Sequence, residues 1–363
     1  MIDPDDQIPV TLLTGFLGAG KTTLLNNLLK QPEMANTAVL INEFGEIGLD
    51  HLLVETLDEN TVLLASGCLC CTVRGDLVEA LGRLRPRKPA RVLIETTGLA
   101  DPVPIIQTLL GDPFVAMCYR MDGIVTVLDA VNGNVELDQQ PEAVRQLAVA
   151  DRIVLSKTDL IDPAPLIERI ARINPGAEVI QAVRGDVPAS KLLNLGLFAP
   201  EGKIPDVAAW LHAEAYEPPH DHAHHDHHHD HNHHHDHDHD HDHEALDRNR
   251  HDDKIHAFSL SFDTQLHWDG VGRFLEILIA THGDSLLRVK GILDLEGLDK
   301  PVAIHGVRTL FHSPEVLPGW PEGTPHSSRL VFIVRDEIDR TMVAEGIASF
   351  EDAARRDVKL NIA

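Results

Sequence analysis

The fold of this chain is decided by the stretch Gly15-Phe16-Leu17-Gly18-Ala19-Gly20-Lys21-Thr22, which follows the apolar run of residues 8–13. The stretch matches the P-loop pattern G-x-x-x-x-G-K-[ST] in full, between a strand-like run and a helix-like run. Glycines let backbone N–H groups close around phosphate oxygens, and the N-terminus of the next helix adds partial positive charge. The lysine reaches the β- and γ-phosphates of a nucleotide, and the last hydroxyl takes a Mg²⁺ position. The predicted phosphate-side residues are Gly15, Gly18, Ala19, Gly20, Lys21, Thr22 and Thr23.

Outward from this loop, residues 8 to about 200 alternate strand-like and helix-like segments. Short apolar strands alternating with helices predict an α/β fold, a mostly parallel P-loop NTPase sheet with helices on both faces. The predicted strands are 8–13, 38–42, 61–65, 91–95, 123–128, 152–156 and 178–182. The predicted helices after the P-loop helix are 75–84, 102–110, 141–149 and 164–173.

The composition changes at residue 212 and changes back at residue 255. Between His220 and His243 lie fifteen of the 24 histidines and seven aspartates, a stretch that has nothing to bury in a core. After it, the order β-α-β-β-β-α predicts a smaller α+β domain, in which Phe258, Leu260 and Phe262 share one face of the first strand. The later strands are predicted at 286–295, 302–311 and 329–334. The predicted division is 1–211 for the P-loop domain, 212–254 for a disordered linker and 255–363 for the C-terminal domain.

Charge and composition exclude several classes of protein. The chain of 363 residues has a net charge of −26, which argues against general nucleic-acid binding. It contains no apolar stretch of 18 residues and does not begin like a signal peptide, so we expect no membrane association. Of four cysteines, three crowd into Cys68-Leu69-Cys70-Cys71, a spacing better suited to metal ligation in a reducing cytoplasm than to disulfides.

The base of the nucleotide is indicated by Ser156-Lys157-Thr158-Asp159, which follows a predicted strand. The tetrapeptide is similar to the N-K-x-D guanine motif, with serine in place of asparagine. In that role Asp159 accepts hydrogen bonds from the guanine N1–H and the exocyclic amine, whereas adenine presents an acceptor at N1. Lys157 and Asp159 are therefore predicted to bind GTP.

The second phosphate-side element is the apolar strand that ends at Glu95, followed by Thr96-Thr97-Gly98. An apolar strand ending in a carboxylate is a Walker B arrangement, so Glu95 is predicted to act with Thr22 on Mg²⁺, and Lys21, Thr22 and Glu95 form the predicted catalytic set. Gly98 can offer its N–H to a γ-phosphate. Residues 42–50 lie where a first switch is expected. The sequence offers no counterpart of a water-orienting glutamine, so we expect slow intrinsic hydrolysis.

The cysteine cluster follows the predicted strand 61–65. Thiolates suit Zn²⁺, Cu⁺ or Co²⁺, and three cysteines leave a tetrahedral site one ligand short. Water, Glu43, Glu46 or a histidine could complete it, and an incomplete site suits a protein that donates its metal. A redox pair or buried structural thiols are the alternatives.

The segments GFLGAGKTTLL, NEFGEIGLD, GCLCC, LIETTGLADP and SKTD occur in this order, and LLRVKGILDL, AIHGVRTLF and PHSSRLVFI follow after the linker. Together they resemble the CobW-type family of P-loop GTPases over nearly the whole chain. The resemblance implies a GTPase metallochaperone whose nucleotide state controls a zinc or cobalt site. It places the metal ligands at Cys68, Cys70 and Cys71, with Glu46 as a metal-side carboxylate. It also implies a client metalloprotein or metal-insertion enzyme as partner.

Three alternative functions are compatible with the same motifs. The chain could deliver cobalt in cobalamin synthesis, store metal under nucleotide control, or phosphorylate a small molecule, although the SKTD and C-x-C-C motifs disfavour a kinase. The His/Asp tract either buffers metal near the cysteines or serves as a spacer. A homodimer is compatible with the sequence, which does not determine the oligomeric state.

Overall fold

The computed structural model describes residues 7–43, 61–65, 73–195, 211, 254–320, 323, 325–335 and 337–362. No helix in these ranges is both long enough and apolar enough to cross a membrane.

A wholly parallel seven-stranded sheet forms the centre of the N-terminal part, in the order β3-β2-β4-β1-β5-β6-β7. Its strands are β1 (Ile8–Gly15), β2 (Thr37–Glu43), β3 (Thr61–Ala65), β4 (Arg91–Glu95), β5 (Tyr119–Asp129), β6 (Arg152–Ser156) and β7 (Glu178–Ala182). Because all strands point the same way, every loop that leaves a carboxyl end lies at one edge of the sheet. The predicted α/β fold is confirmed.

Helices cover both faces of this sheet, as the run of apolar residues in β1 requires. Leu12 packs with Leu81 and Ile106 on one face, and Leu13 packs with Leu25 on the other. The helices are α1 (Lys21–Leu29), α2 (Val73–Leu84), α3 (Val103–Gly111), α4 (Pro113–Cys118), α5 (Gly133–Gln139), α6 (Pro141–Ala148) and α7 (Ala164–Ile173).

The sequence did not predict α4 and α5, because six or seven residues are too few to show a helical period. The start of α4 is nevertheless marked by an N-cap. Asp112 Oδ1 accepts hydrogen bonds from the N–H groups of Phe114 and Val115, which satisfies two unpaired donors of the first turn.

The C-terminal part is an antiparallel sheet in the order β11-β10-β9-β13-β8, and β12 pairs with β10. The elements are β8 (Ile255–Phe262), α8 (Trp268–His282), β9 (Leu286–Leu293), β10 (Val302–Val307), β11 (Leu310–Phe311), β12 (Glu315–Val316), β13 (Ser328–Arg335) and α9 (Arg340–Ile362). One expectation was wrong: residues 302–311 do not form a continuous strand. Arg308 has a φ of 53° and turns the chain back on itself.

The two faces of the C-terminal sheet have different partners. Phe258, Leu260 and Phe262 share one face, as predicted, and pack in the cluster that contains α8 and α9. Ile255 and Ala257 face the other way and join a cluster with α6 and α7 of the N-terminal part. The alternation of β8 therefore places the sheet between its own helices and the P-loop domain.

A buried carboxylate lies at the contact between the two sheets. Asp151, in the turn between α6 and β6, forms ion pairs with Arg288 and Lys290 of β9, the latter at 2.7 Å. Arg288 also donates to the carbonyl oxygen of Val149, and Asp151 Oδ2 accepts the N–H of Ile124 at 2.9 Å. The side chain of Asp151 thus links β5 of the parallel sheet to β9 of the antiparallel sheet.

Burial acts in opposite directions on the pKa values of the acidic and basic groups in this cluster. Burial alone would raise the pKa of Asp151, but Arg288 and Lys290 hold it well below its usual range. Burial lowers the pKa of Lys290 to about 8, against the opposing effect of Asp151. His305 and His312 stack nearby, and because burial lowers the pKa of both imidazoles they add no further positive charge at neutral pH.

We expect Asp151→Ala to lower the free energy of unfolding by about 3–5 kcal/mol, because it leaves two buried cations without a counter-charge. Urea unfolding measures the change. Glu79→Ala is the control, since the pair between Glu79 and Arg83 is exposed (63% and 70%) and should contribute less than about 1 kcal/mol. Equal losses in the two variants would contradict the prediction.

The same pair of proteins tests the pH dependence. The pKa of Asp151 is lower in the folded than in the unfolded chain, so the unfolded chain takes up this proton first as the pH falls below about 4. The stabilisation by Asp151 is present at neutral pH and is lost below that point. The stability difference between wild type and Asp151→Ala should shrink accordingly.

Candidate functional site

The P-loop closes around the ammonium group of Lys21 at the carboxyl end of β1. Lys21 Nζ donates to the carbonyl oxygens of Gly15 and Phe16 at 2.9 and 3.0 Å, and the side chain is buried. Gly15 has a φ of 140°, and a Cβ there would lie 2.2 Å from the carbonyl oxygen of Val127 in β5. Only glycine fits this close approach.

The turn into α1 uses two further glycines in the left-handed region. Gly18 has a φ of 73° and Gly20 a φ of 95°, where a side chain is strained. Ala19 between them is fully buried, and Thr23 in the first turn of α1 is exposed. The loop therefore has the backbone shape that phosphate binding by N–H groups requires.

Thr22 and Glu95 meet at the adjoining carboxyl ends of β1 and β4. Thr22 Oγ1 donates to Glu95 Oε1 at 3.2 Å, and Glu95 is almost fully buried. Leu13 and Glu95 are register partners, so the neighbouring parallel strands bring the two side chains together. A hydroxyl and a carboxylate are oxygen ligands that fit Mg²⁺.

Gly98, three residues beyond the end of β4, lies directly on the P-loop. A Cβ at Gly98 would come within 2.6 Å of the backbone nitrogen of Leu17. The segment after Glu95 can therefore reach the same phosphate positions as the P-loop.

The SKTD segment is attached to the P-loop through its first residue. Ser156 Oγ donates to the carbonyl oxygen of Ala19 at 2.7 Å, so the serine ties the end of β6 to the loop. Lys157 adopts a left-handed backbone with a φ of 57°. Asp159 is exposed two residues further on, where a base could reach it.

Lys157 is held by a group that the sequence did not indicate. Its Nζ lies 2.5 Å from Oδ2 of Asp129, a carboxylate buried at the end of β5. Asp129 also accepts hydrogen bonds from the N–H of Val131 and from the amide of Asn132. Burial would raise the pKa of Asp129, but these donors, Lys157 foremost, lower it. An acid at the carboxyl end of the strand beside the P-loop was the available signal.

A second acid that the sequence did not indicate is Glu136 of α5. Burial, with a further contribution from the charge of Asp129, raises the pKa of Glu136 to about 7. Its Oε2 is buried and has no hydrogen-bond partner in the structure as described. The region around Lys157 thus combines one ionised acid with one that is half protonated near neutral pH.

The predicted metal ligands Cys68, Cys70, Cys71 and Glu46 lie outside the described residues. So does most of the predicted first switch, of which the backbone is described only as far as Glu43. In the ranges that the structure does cover, no group of three or more His, Cys, Asp or Glu side chains could hold a metal ion. The strands before and after the cysteines, β3 and β4, are described, and they end at the same edge of the sheet as the P-loop.

Comparison with protein families finds two matches in this chain. Residues 9–181 match the CobW/HypB/UreG nucleotide-binding domain, and residues 255–351 match the cobalamin synthesis protein cobW C-terminal domain.

Similar proteins match more than half of the chain, and two of the three described here match at least nine tenths of it. The zinc chaperone YjiA of Escherichia coli is 33% identical over 90% of this chain and 94% of its own length. The zinc chaperone CobW of a Sinorhizobium species is 29% identical over 94% and 97%. The zinc-regulated GTPase metalloprotein activator 1 of Schizosaccharomyces pombe is 38% identical over 55% of this chain and 53% of its own.

Among solved structures, the Zn(II)-bound YjiA GTPase from E. coli has a TM-score of 0.65 and 28% sequence identity to this chain. The match covers 95% of this chain and 99% of that one.

We expect Gly15→Ala to prevent formation of the phosphate loop, because its Cβ would collide with the carbonyl oxygen of Val127 in an unfavourable φ. Gly18→Ala is the matched control: its φ is also positive, but nothing lies within 4 Å of the new Cβ, so only about 1–2 kcal/mol of strain results. GTP affinity and urea unfolding should both show the larger loss for Gly15→Ala. Equal effects would exclude the steric explanation.

Proposed function

The chain belongs to the CobW/HypB/UreG family, and from this premise we propose that it is a GTP-hydrolysing metallochaperone that carries zinc to a client metalloprotein. The nucleotide cycle would control whether the metal is held or released.

The observation that carries the nucleotide assignment is the hydrogen bond from Ser156 Oγ to the carbonyl oxygen of Ala19. It makes the phosphate loop and the SKTD segment two sides of one pocket. With Lys157 held by Asp129, the exposed carboxylate of Asp159 is left to accept the two guanine N–H groups. The pocket therefore supports GTP as the substrate.

Thr22 and Glu95 are the residues that would hold Mg²⁺, and their oxygens, 3.2 Å apart, suit a hard cation. When bound, the ion neutralises negative charge on the β- and γ-phosphates. Thr22 is placed for this by the first turn of α1, and Glu95 by the end of β4.

The other residues of the site would stabilise the transferred phosphoryl group. Lys21 places a positive charge at the loop, and the N–H of Gly98 could donate to a γ-phosphate oxygen, as the loop amides could to the other phosphates. Water attacks the γ-phosphorus, the bond from that phosphorus to the β–γ bridging oxygen breaks, and GDP, inorganic phosphate and a proton are released. Slow intrinsic turnover remains our expectation, since the sequence offers no counterpart of a water-orienting glutamine.

The proposed cargo site is formed by Cys68, Cys70 and Cys71, with Glu46 as the carboxylate on the metal side. Thiolates bind zinc well, and relatives along nearly the whole chain are named zinc chaperones. The thiolates must stay reduced, so the proposal includes a reducing compartment such as the cytoplasm.

The proposed coupling between metal binding and nucleotide state follows from the position of the cysteines in the chain. The cysteines lie between the switch-like residues 42–50 and the Glu95–Gly98 segment, and a γ-phosphate orders such segments. A segment that supplies or shields a ligand makes metal affinity depend on the nucleotide, and the reverse dependence must be equal.

The proposed domain organisation is a GTPase domain at 1–211, a His/Asp linker at 212–254 and a client-binding domain at 255–363. The family matches at 9–181 and 255–351 support these divisions. Cobalt is the second candidate cargo, because the C-terminal match is described as a cobalamin synthesis domain.

We expect zinc affinity to differ between the complexes with a non-hydrolysable GTP analogue and with GDP. Competitive titration of zinc and cobalt against a chelator isolates the tight site from weak binding by the His/Asp tract. Cys70→Ser should abolish the tight site. Cys118→Ala, at a buried core thiol outside the motif, is the control and should leave it intact.

Two results would contradict this expectation: equal zinc affinity in both nucleotide states, or an unchanged tight site in Cys70→Ser. Zinc-independent GTP turnover together with equal affinities would favour a metal store instead. Tighter binding of cobalt than of zinc in the analogue complex would favour the cobalt alternative.

We expect Asp159→Asn to lower GTP affinity at least about tenfold, because an amide cannot accept both guanine N–H bonds as a carboxylate does. The amide matches xanthine, so binding of XTP should improve. Asp162→Asn is the control, since Asp162 is exposed and accepts the N–H of Ala164 at the start of α7. Equal losses for GTP and XTP would show that Asp159 does not select the base.

A further inference from the structure

The segment that follows Glu95 connects the P-loop to a contact with the C-terminal domain. Gly98 lies on the P-loop, and three residues later Asp101 precedes helix α3. Oδ1 of Asp101 accepts the N–H of Val103 at 3.0 Å. The position of Asp101 therefore sets both the start of α3 and the end of the loop that carries Gly98.

Within the P-loop domain, a buried glutamine holds the loop that carries Gly98. Gln146 Nε2 donates to the carbonyl oxygen of Ala100 at 2.9 Å, and the carbonyl oxygen of Gly98 lies 3.5 Å away. The backbone of Gln146 is in turn fixed by Thr126, whose hydroxyl donates to its carbonyl oxygen at 2.7 Å. These contacts hold the loop from behind, on the side of α6.

From the C-terminal domain, the loop is held by Arg308. Its Nη1 lies 3.5 Å from Asp101 Oδ2, the same oxygen that pairs with Arg145 of α6 at 3.4 Å. Nη2 of Arg308 pairs with Asp284, just before β9. The guanidinium thus spans two carboxylates, one in each domain.

The backbone around Arg308 is built for this contact. The residue occupies the tight turn between β10 and β11 with a φ of 53°. Next to the turn, Leu310 reaches the far end of α3, where its methyl carbons lie 3.9 Å from the Cβ position of Gly111. The β10–β11 hairpin therefore touches α3 near both ends.

We propose that Arg308 is a positioning residue for GTP hydrolysis, which acts through Asp101 to hold the Gly98 segment against the P-loop. The inference rests on the proposed GTPase function and goes beyond it by making the C-terminal domain part of the machinery that senses the γ-phosphate. A protein that binds to the β10–β11 hairpin would then change the affinity for GTP, and GTP would change the affinity for that protein by the same factor.

The affinity for GDP distinguishes a positioning role of Arg308 from a purely structural one. GDP lacks the γ-phosphate that Gly98 would contact, so its binding requires the P-loop and the SKTD segment but not the position of residues 96–101. Arg308→Ala should therefore weaken GTP-analogue binding and slow single-turnover hydrolysis, each about threefold to fivefold, the range open to a partly exposed ion pair. GDP affinity should not change.

Arg308→Lys tests whether the two-pronged geometry matters. A lysine keeps the charge but has one ammonium group, which cannot present separate nitrogens to Asp101 and Asp284 as a guanidinium does. We expect a rate between those of wild type and Arg308→Ala. Arg355→Ala is the matched control, because Arg355 pairs with Glu296 within the C-terminal domain and does not reach the P-loop domain.

The measurements are single-turnover GTP hydrolysis, affinity for a GTP analogue and for GDP, and the melting temperature, all on the full chain. A double-mutant cycle with Asp101→Ala should show that the two rate losses are not additive. A lower melting temperature with unchanged hydrolysis would overturn the proposal, as would equal losses for GTP analogue and GDP. Absence of GTP hydrolysis in the wild type would instead overturn the proposed function.

Discussion

The buried carboxylate of Asp151 is the interaction on which the arrangement of the two domains depends. A carboxylate this deep requires opposite charge, and both of its cations, Arg288 and Lys290, come from strand β9 of the other sheet. Burial of these charges is tolerated only where they pair, so the cluster selects one arrangement of the two domains. The apolar residues around it, including Ile292 and Val331, contribute hydrophobic burial, which does not fix the orientation of the two domains.

Fixing β9 also fixes the strands hydrogen-bonded to it. β10 pairs with β9 along its length, and the turn at Arg308 follows at its end. Asp101 lies on the P-loop domain within reach of that turn. The contact between Arg308 and Asp101 is thus a geometric consequence of where the ion pairs of Asp151, at the amino end of β6, place the C-terminal sheet.

Much of the fold could be predicted from local pattern, because the apolar runs are long and the residues that end them are easy to recognise. Strands β3, β4, β6 and β7 and helix α7 have the predicted bounds. Where the prediction failed, the missing signal was short or not local. α4 and α5 are too brief to show a period, and the break at Arg308 depends on a left-handed residue that is not glycine.

The site divides in the same way. The P-loop and the SKTD segment were recognisable because phosphate and guanine chemistry require particular residue types at fixed spacing along one stretch. The groups that hold those stretches were not: Ser156 reaches back 137 residues to Ala19, and Lys157 finds Asp129 on a neighbouring strand. Such partners are set by strand order, which no local motif encodes.

The sequence by itself therefore determined the fold class, the nucleotide chemistry, the guanine preference and the presence of a thiol cluster. These follow from periodicity and from residue types that one reaction demands. Only the tertiary structure decided that Glu95 meets Thr22, that Asp129 holds Lys157, and that Arg308 reaches the loop of Gly98. Those contacts depend on which strands are neighbours and on how one sheet seats on another, and both are settled by packing and by the burial of charge across the whole chain.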